Sequence, residues 1–274
     1  MMNFKEYAIP AFQEVFDLLD QVCSRLDVEL YLIGAQARDI HFLEKGIKPS
    51  RGTRDIDFAI MLPNIESYEK VMDELVRIGF RKVKEPYRLI HDTSNTVVDI
   101  LPFGEIEEQG TVKFTDRQIE VSMVGMSEVL SLPEKITFGN TIVKVAPLSG
   151  MVILKLISYN ERKERTKDIE DIKDIMLNYF DLNNDRFYEQ HLDLLDELST
   201  ANFVQEAAAR LVGRDMRTIL DRNLELKNSI IRIIETEINE TGGSITRYFL
   251  SKGYFNDAET LKSLFSKLHK GLIE

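Results

Sequence analysis

Asp55, Asp57, Asp99 and Gly34 have the types and spacing that phosphate chemistry requires. In Arg51-Gly52-Thr53-Arg54-Asp55-Ile56-Asp57-Phe58 the two acids are two residues apart. On a strand that spacing sends both side chains to one face, while Ile56 and Phe58 line the other. Two carboxylates on one face offer hard oxygen ligands to a cation such as Mg²⁺, which keeps much of its shell for water and substrate phosphates. A solvated strand face carries the same pattern. Asp99 interrupts Val97-Val98-Asp99-Ile100-Leu101, a β-branched run that reads as a buried strand. An ionised carboxylate there is costly unless positive charge compensates it. An arginine such as Arg88, an exposed edge position, or metal ions shared with Asp55 and Asp57 would each meet that demand. Two ions roughly 3.5–4 Å apart would clamp the attacking and leaving oxygens of a phosphoryl displacement. Gly34 ends the apolar run Leu30-Tyr31-Leu32-Ile33 and is followed by Ala35-Gln36-Ala37-Arg38-Asp39. A strand that turns at Gly straight into a helix presents unpaired N–H groups and the positive end of a helix dipole, which suits a triphosphate. A tight turn with close packing of strand and helix is the other reading of the same residues.

These side chains need elements to hold them. Phe12, Val15, Phe16, Leu19 and Val22 recur at helical spacing, and strands are expected at 30–33 and 55–62. A helix is expected over 67–79, then short strands near 87–91 and 96–101 and pairs of strands near 110–123 and 141–145. This is an α+β pattern with mixed strand order. From about Pro147 onward the apolar spacing is helical, over 151–159, 169–179, 203–211, 219–238, 245–250 and 261–268. Two domains are therefore expected, 1–147 and 148–274. Within the second, Lys155, Tyr159 and Arg162 lie four and three residues apart, so one helix face could turn two cations and a ring toward a nucleotide. Thr166 is the expected N-cap of the next helix, whose first turn carries Asp168, Glu170 and Asp171; these acids favour the dipole, which gives Asp168 a structural role beside a functional one. Asp181-Leu182-Asn183-Asn184-Asp185 reads as a turn, and Thr241-Gly242-Gly243-Ser244 as a helix end followed by a Ser244 N-cap.

Composition bounds the rest. Over 274 residues, 43% are hydrophobic and seven are proline, enough apolar material for a sizeable core and unlike a disordered chain. No apolar run approaches the about 20 residues a membrane helix needs. Met1-Met2-Asn3-Phe4-Lys5-Glu6 lacks the cationic and apolar regions of an export leader. Cys23 is the single cysteine, and His41, His91, His191 and His269 are widely scattered, without zinc spacing. A cytoplasmic location fits best. The net charge of −11 argues against a protein that coats nucleic acid through a global basic surface. Local clusters remain at Arg51 and Arg54, at Arg81-Lys82-Val83-Lys84, at 162–167, and along Arg210, Arg214, Arg217 and Arg222. Solvated faces are the simplest reading of them.

Taken in order, Gly34-Ala35-x-x-Arg38-Asp39, Arg51-x-Thr53-Arg54-Asp55-Ile56-Asp57-Phe58 and Val98-Asp99-Ile100-Leu101-Pro102-Phe103-Gly104 resemble the polymerase-β-like nucleotidyltransferase superfamily, and within it the AbiEii-type nucleotidyltransferases. Lys155-x6-Arg162-x4-Lys167-Asp168-x2-Asp171 is similar to the family's downstream Lys, Arg and (Arg/Lys)-Asp-x-x-Asp signature. The likeness covers about residues 28 to 175. It implies a nucleotidyltransferase-like mixed β-sheet with flanking helices as catalytic domain, followed by a helical C-terminal domain. It also implies Mg²⁺ or Mn²⁺ on Asp55 and Asp57, with Asp99 either completing the metal site or accepting a proton from the attacking hydroxyl. Gly34 and Ala35 would lie at the nucleotide phosphates. Lys155 would contact the nucleotide, with Arg54, Arg162 and Asp168 in the same set. Ala35 stands where many members carry Ser, so the hydroxyl contact to phosphate is lost, and backbone groups or Gln36 would substitute. The implied reaction moves a nucleoside monophosphate from an NTP to an acceptor hydroxyl on RNA such as tRNA, on protein or on a small molecule. The implied setting is a toxin-antitoxin or phage-defence system, with an antitoxin protein as partner and no membrane. The alternative is a non-catalytic nucleotide- or partner-binding module that kept the fold; three converging acids speak against it.

Overall fold

The computed structural model describes residues 11–49, 52–53, 55–138, 141–195, 202–239 and 242–274. Arg51 and Arg54 of the acidic motif lie outside the described residues, as does Thr241. The chain divides into two compact units, Met1–Pro147 and Leu148–Glu274.

The first unit runs α1 (Phe12–Arg25), β1 (Leu30–Ile33), α2 (Gly34–Glu44), β2 (Asp55–Met61), α3 (Ile65–Arg77), β3 (Phe80–Lys82), β4 (Arg88–His91), β5 (Val97–Phe103), β6 (Thr111–Phe114), β7 (Ile119–Ser122), α4 (Met126–Leu130), β8 (Glu134–Phe138) and β9 (Thr141–Val145). Seven strands form a mixed sheet in the order β3-β4-β5-β2-β1-β9-β8, and β6 pairs with β7 alone. Strands β2 and β5 are parallel, as are β1 and β9, while the other pairs are antiparallel. Ile56, Phe58 and Ile60 are fully buried, and the Phe58 ring meets Phe16 of α1 at 6.1 Å between centroids. Alternation therefore gives β2 one packed face and leaves the acids on the other.

Helix α3 starts two residues earlier than its apolar spacing indicates. Asn64 is its N-cap and accepts from Ser67 N at 2.9 Å, satisfying a donor that the first turn leaves orphaned. Strand β5 runs on through Pro102, although a proline cannot donate to a ladder. Ile100 N donates to Tyr87 O on the β4 side, and Pro102 points its nitrogen the same way, past the end of β4, where no ladder partner is due. The three-residue strand β3 has no counterpart in the sequence pattern, being too short to show a period, whereas β8 is the partner of β9 in the pair expected near 141–145, with Ile136 buried.

The second unit is helical: α5 (Leu148–Glu161), α6 (Thr166–Leu182), α7 (Asn184–Glu189), α8 (Phe203–Leu220), α9 (Leu224–Ile238), α10 (Ser244–Ser251) and α11 (Ala258–Ile273). The architecture is thus α+β with a mixed sheet and a helical C-terminal region. Four expectations need correction. The turn over 181–185 shrinks to Asn183, since Asp181 and Leu182 close α6 and Asn184 and Asp185 open α7. The single helix over 219–238 is the end of α8 and all of α9, broken before Asn223, whose side chain accepts from Leu226 N at 3.0 Å. Thr166 is the first helical residue rather than the cap, and Arg165 holds the cap position without a side-chain bond to the helix N–H groups. Ser244 likewise opens α10 without capping it; the buried Glu237 carboxylate reaches across from α9 to accept from Ile245 N at 3.2 Å and Thr246 N at 2.8 Å. A distant carboxylate replaced the local hydroxyl, which no local spacing signals.

Candidate active site

The register of three strands builds the site. Antiparallel β1 sets Ile33 opposite Asp57, parallel β5 sets Asp99 opposite Asp57, and antiparallel β4 sets Arg88 opposite Asp99. One rung across the sheet therefore reads Ile33, Asp57, Asp99, Arg88. Side chains directly opposite one another project from the same face, so Asp57 and Asp99 stand side by side and Asp55 follows two residues along β2. One carboxylate oxygen from each of Asp55, Asp57 and Asp99 lies within 4.8 Å of the others.

The donor set is all oxygen, from carboxylates, the chemistry that Mg²⁺ and Mn²⁺ prefer over imidazole or thiolate. Ligands of an ion with bonds of about 2.1 Å lie about 3–4.2 Å apart, so the three oxygens would have to draw only slightly together to hold one. Without a cation the trio is frustrated: two unit charges about 5 Å apart repel by on the order of 3 kcal/mol at an effective dielectric near 20. Arg88 offsets part of this. Its Nε donates to Asp99 Oδ1 at 2.6 Å and its Nη2 to Asp99 Oδ2 at 2.7 Å. Those bonds, opposed by burial and joined by the charge of Asp99, raise the guanidinium pKa further above its ordinary value. Asp99, 7% exposed, thus has in Arg88 the arginine partner that its burial called for, and it stands in the acidic cluster as well. Thr53 was not singled out for a role of its own, yet its Oγ1 donates to Asp55 Oδ1 at 2.6 Å and fixes that carboxylate. The signal was available, because Thr53 precedes Asp55 by the same two-residue step that separates the acids.

Gly34 opens α2 directly after β1 with φ +68°, and a Cβ on it would overlap the Asp57 carboxylate. The position needs glycine for conformation and for space. Ile33 holds the N-cap position without a side-chain bond, so the first-turn N–H groups beside Asp57 are not capped by it. Ala35 is half-buried and Gln36 is 2% exposed, which leaves the backbone as the better substitute for the missing serine hydroxyl. Arg38, fully buried, binds Asp39 through Nε at 2.9 Å and Nη2 at 2.6 Å and serves the packing of α2.

The downstream signature lies in the second unit as an ion cluster of its own. Lys155 Nζ is 2.6 Å from Asp171 Oδ2 and 3.2 Å from Asp168 Oδ1, and Arg165 Nε donates to Asp168 Oδ2 at 2.7 Å. Burial pushes the Asp168 carboxyl up, but Lys155 and Arg165, helped by Ser158, outweigh it and leave the pKa below the usual carboxylate value. Tyr159, one turn on from Lys155 in α5, is 4% exposed, whereas Arg162 is exposed just past the helix end. Burial, followed by the charge of Asp20, pushes the Cys23 thiol up to about 12, which makes it inert as a nucleophile.

Residues 17–235 match the family model described as nucleotidyl transferase AbiEii toxin, type IV TA system. The chain belongs to the AbiEii nucleotidyltransferase family and is a nucleotidyltransferase. A comparison with curated proteins finds no match. Among solved structures it is similar to the lincosamide antibiotic adenylyltransferase LnuA with lincomycin bound, at 18% identity over 50% of this chain and 80% of that one, with a TM-score of 0.33. It is similar to ANT(2")-Ia in complex with adenylyl-2"-tobramycin at 12% identity over 71% and 95%, TM-score 0.35. An antigenic nucleotidyltransferase-like protein from Paracoccidioides brasiliensis shares 17% identity over 76% and 91%, TM-score 0.39. Likenesses at this level leave the family match as the ground for the class.

Proposed function

We propose that this chain transfers a nucleoside monophosphate from an NTP to an acceptor hydroxyl in a divalent-metal-dependent reaction. The acceptor oxygen bonds to the α-phosphorus, the bond to pyrophosphate breaks, and the hydroxyl proton passes to a base. The observation that carries this reading is the convergence of Asp55, Asp57 and Asp99 beside Gly34. Mg²⁺ or Mn²⁺ bound there would neutralise charge on the phosphate and leaving oxygens. Asp55 and Asp57 hold the ion, with Thr53 keeping Asp55 in place. Asp99 is the third ligand or takes the proton; before the ion arrives, Arg88 holds both of its oxygens. The backbone at Gly34 and Ala35 receives phosphate oxygens. Lys155, Arg162 and Asp168 are assigned to the nucleotide by the family signature, as is Arg54. Lys155 would act from within its pair of carboxylates rather than as a lone cation.

The acceptor is RNA such as tRNA, a protein or a small molecule. The family is described as the toxin of a type IV system, so a growth-inhibiting role restrained by an antitoxin protein in the cytoplasm belongs to the same reading. The test incubates purified protein with each labelled NTP, Mg²⁺ and cell extract, and asks which fraction becomes labelled. Asp57→Asn should lower labelling at least about a hundredfold with no loss of thermal stability, because it removes one charge from a repelling trio. Equal labelling by wild type and variant would sink the assignment.

A further inference from the structure

We infer that Arg88 is a resident cation of the acidic trio, one that must yield Asp99 when a divalent ion arrives, and so is a positioning residue for metal loading. This rests on the reading of Asp55, Asp57 and Asp99 as the metal-binding acids. The guanidinium grips both oxygens of Asp99, the acid that stands opposite Asp57 in the β2–β5 register. A divalent ion seated among the three acids would lie within a few ångströms of that fork, and like charges so close repel strongly.

A permanent strut that aims Asp99 is the competing role, and the strands decide against it. Asp99 lies in β5 between β2 and β4, paired with Asp57 on one side and Arg88 on the other. The ladders therefore set the direction of its Cα–Cβ bond without help from the arginine. Arg88 also has somewhere to go, because its side chain is 32% exposed while that of Asp99 is 10% exposed. A guanidinium released toward water is rehydrated, whereas the carboxylate stays. Arg88 thus lowers repulsion in the protein before loading and weakens the site for the ion it precedes.

Calorimetric titration with Mn²⁺ alone, on the full chain, tests this in wild type, Arg88→Gln, Arg88→Lys and Asp55→Asn. Arg88→Gln should bind Mn²⁺ about tenfold more tightly than wild type, since a competing charge is gone. Arg88→Lys keeps the charge but not the two-pronged grip, and should fall between them. In wild type, the Arg88 Nε–H resonance, identified by its loss in Arg88→Lys, should shift and exchange faster with solvent as Mg²⁺ is added. That measurement stands even where Arg88→Gln fails to fold. Mn²⁺ binding by Arg88→Gln that equals or falls below wild type overturns the placeholder role, as does a resonance that stays fixed while Mg²⁺ binds. The two readings fail separately. Loss of binding in Asp55→Asn without tightening in Arg88→Gln removes the role of Arg88 alone, whereas unchanged binding in Asp55→Asn removes the metal site and the placeholder with it.

Discussion

At the residue scale, Gly34 shows how one missing Cβ serves both backbone and chemistry. Its φ of +68° is a left-handed conformation, and a methyl group there meets the Asp57 carboxylate. Gly34→Ala should destabilise the protein by about 1–3 kcal/mol in urea titration and abolish labelling of the acceptor, because the displaced carboxylate no longer meets Asp55 and Asp99. Stability and activity unchanged would mean that the turn is not held as described. Thr53→Val deletes the hydroxyl donated to Asp55 and should cost about 0.5–1.5 kcal/mol while weakening Mn²⁺ binding. The shared face of Asp55 and Asp57 was legible because strand period alone decides it. Asp99 was legible as a charge in a buried run, and Arg88 as one partner that could meet it, but its place between that arginine and the other acids was not. Only the register of β5 against both β2 and β4 puts Asp57 on one side of it and Arg88 on the other, and a register set across more than 30 residues of intervening chain between Met61 and Val97 has no local signature.

At the element scale, what the sequence made legible was periodicity, and what it hid was satisfaction from a distance. Helices α1, α5, α6 and α11 follow from apolar spacing, as do strands β1, β2 and β5. The cap of α10 comes instead from Glu237 of α9, and the continuation of β5 through Pro102 depends on where β4 ends. The α5–α6 pair carries the clearest pH consequence. The Asp168 carboxyl sits below its ordinary value because Lys155 and Arg165 outweigh burial. A depressed carboxylate adds stability at pH values above its unfolded pKa and loses it as pH falls through the folded one. Acid unfolding followed by circular dichroism should therefore steepen below about pH 4, and Asp168→Asn should flatten that limb relative to wild type. Lys155→Met would strand Asp168 and Asp171 without their ammonium and should cost about 3–5 kcal/mol at neutral pH, whatever Lys155 does for a nucleotide. A smaller loss would mean that the two carboxylates find water or protons instead.

At the scale of the whole molecule, charge decides how the acceptor is reached. The chain carries −11, and the basic clusters that looked available are largely matched by acids. Arg81 pairs with Asp92 at 2.8 Å and Lys82 with Asp73 at 2.6 Å. Arg165 pairs with Asp168, Arg217 with Asp221 at 3.4 Å, and Arg210 and Arg214 both bind Glu274. The row on α8 is therefore an ion-pair network rather than a basic ridge or a freely solvated face. Among the described residues no helix is long and apolar enough to cross a membrane. A polyanion approaching such a surface releases few counterions, because most of the cations it could recruit there must first leave a carboxylate. With an RNA acceptor, the slope of log KM against log salt should then stay at or below about 2, the value for some three phosphate contacts to a single strand. Labelling assays between about 50 and 300 mM salt, over which the Debye length falls from about 14 to about 6 Å, read that slope directly. A slope of about 5 or more would mean that the acidic partners are expelled on binding and that these pairs mask an RNA surface, while a flat line fits an acceptor held by local contacts at the acidic trio itself.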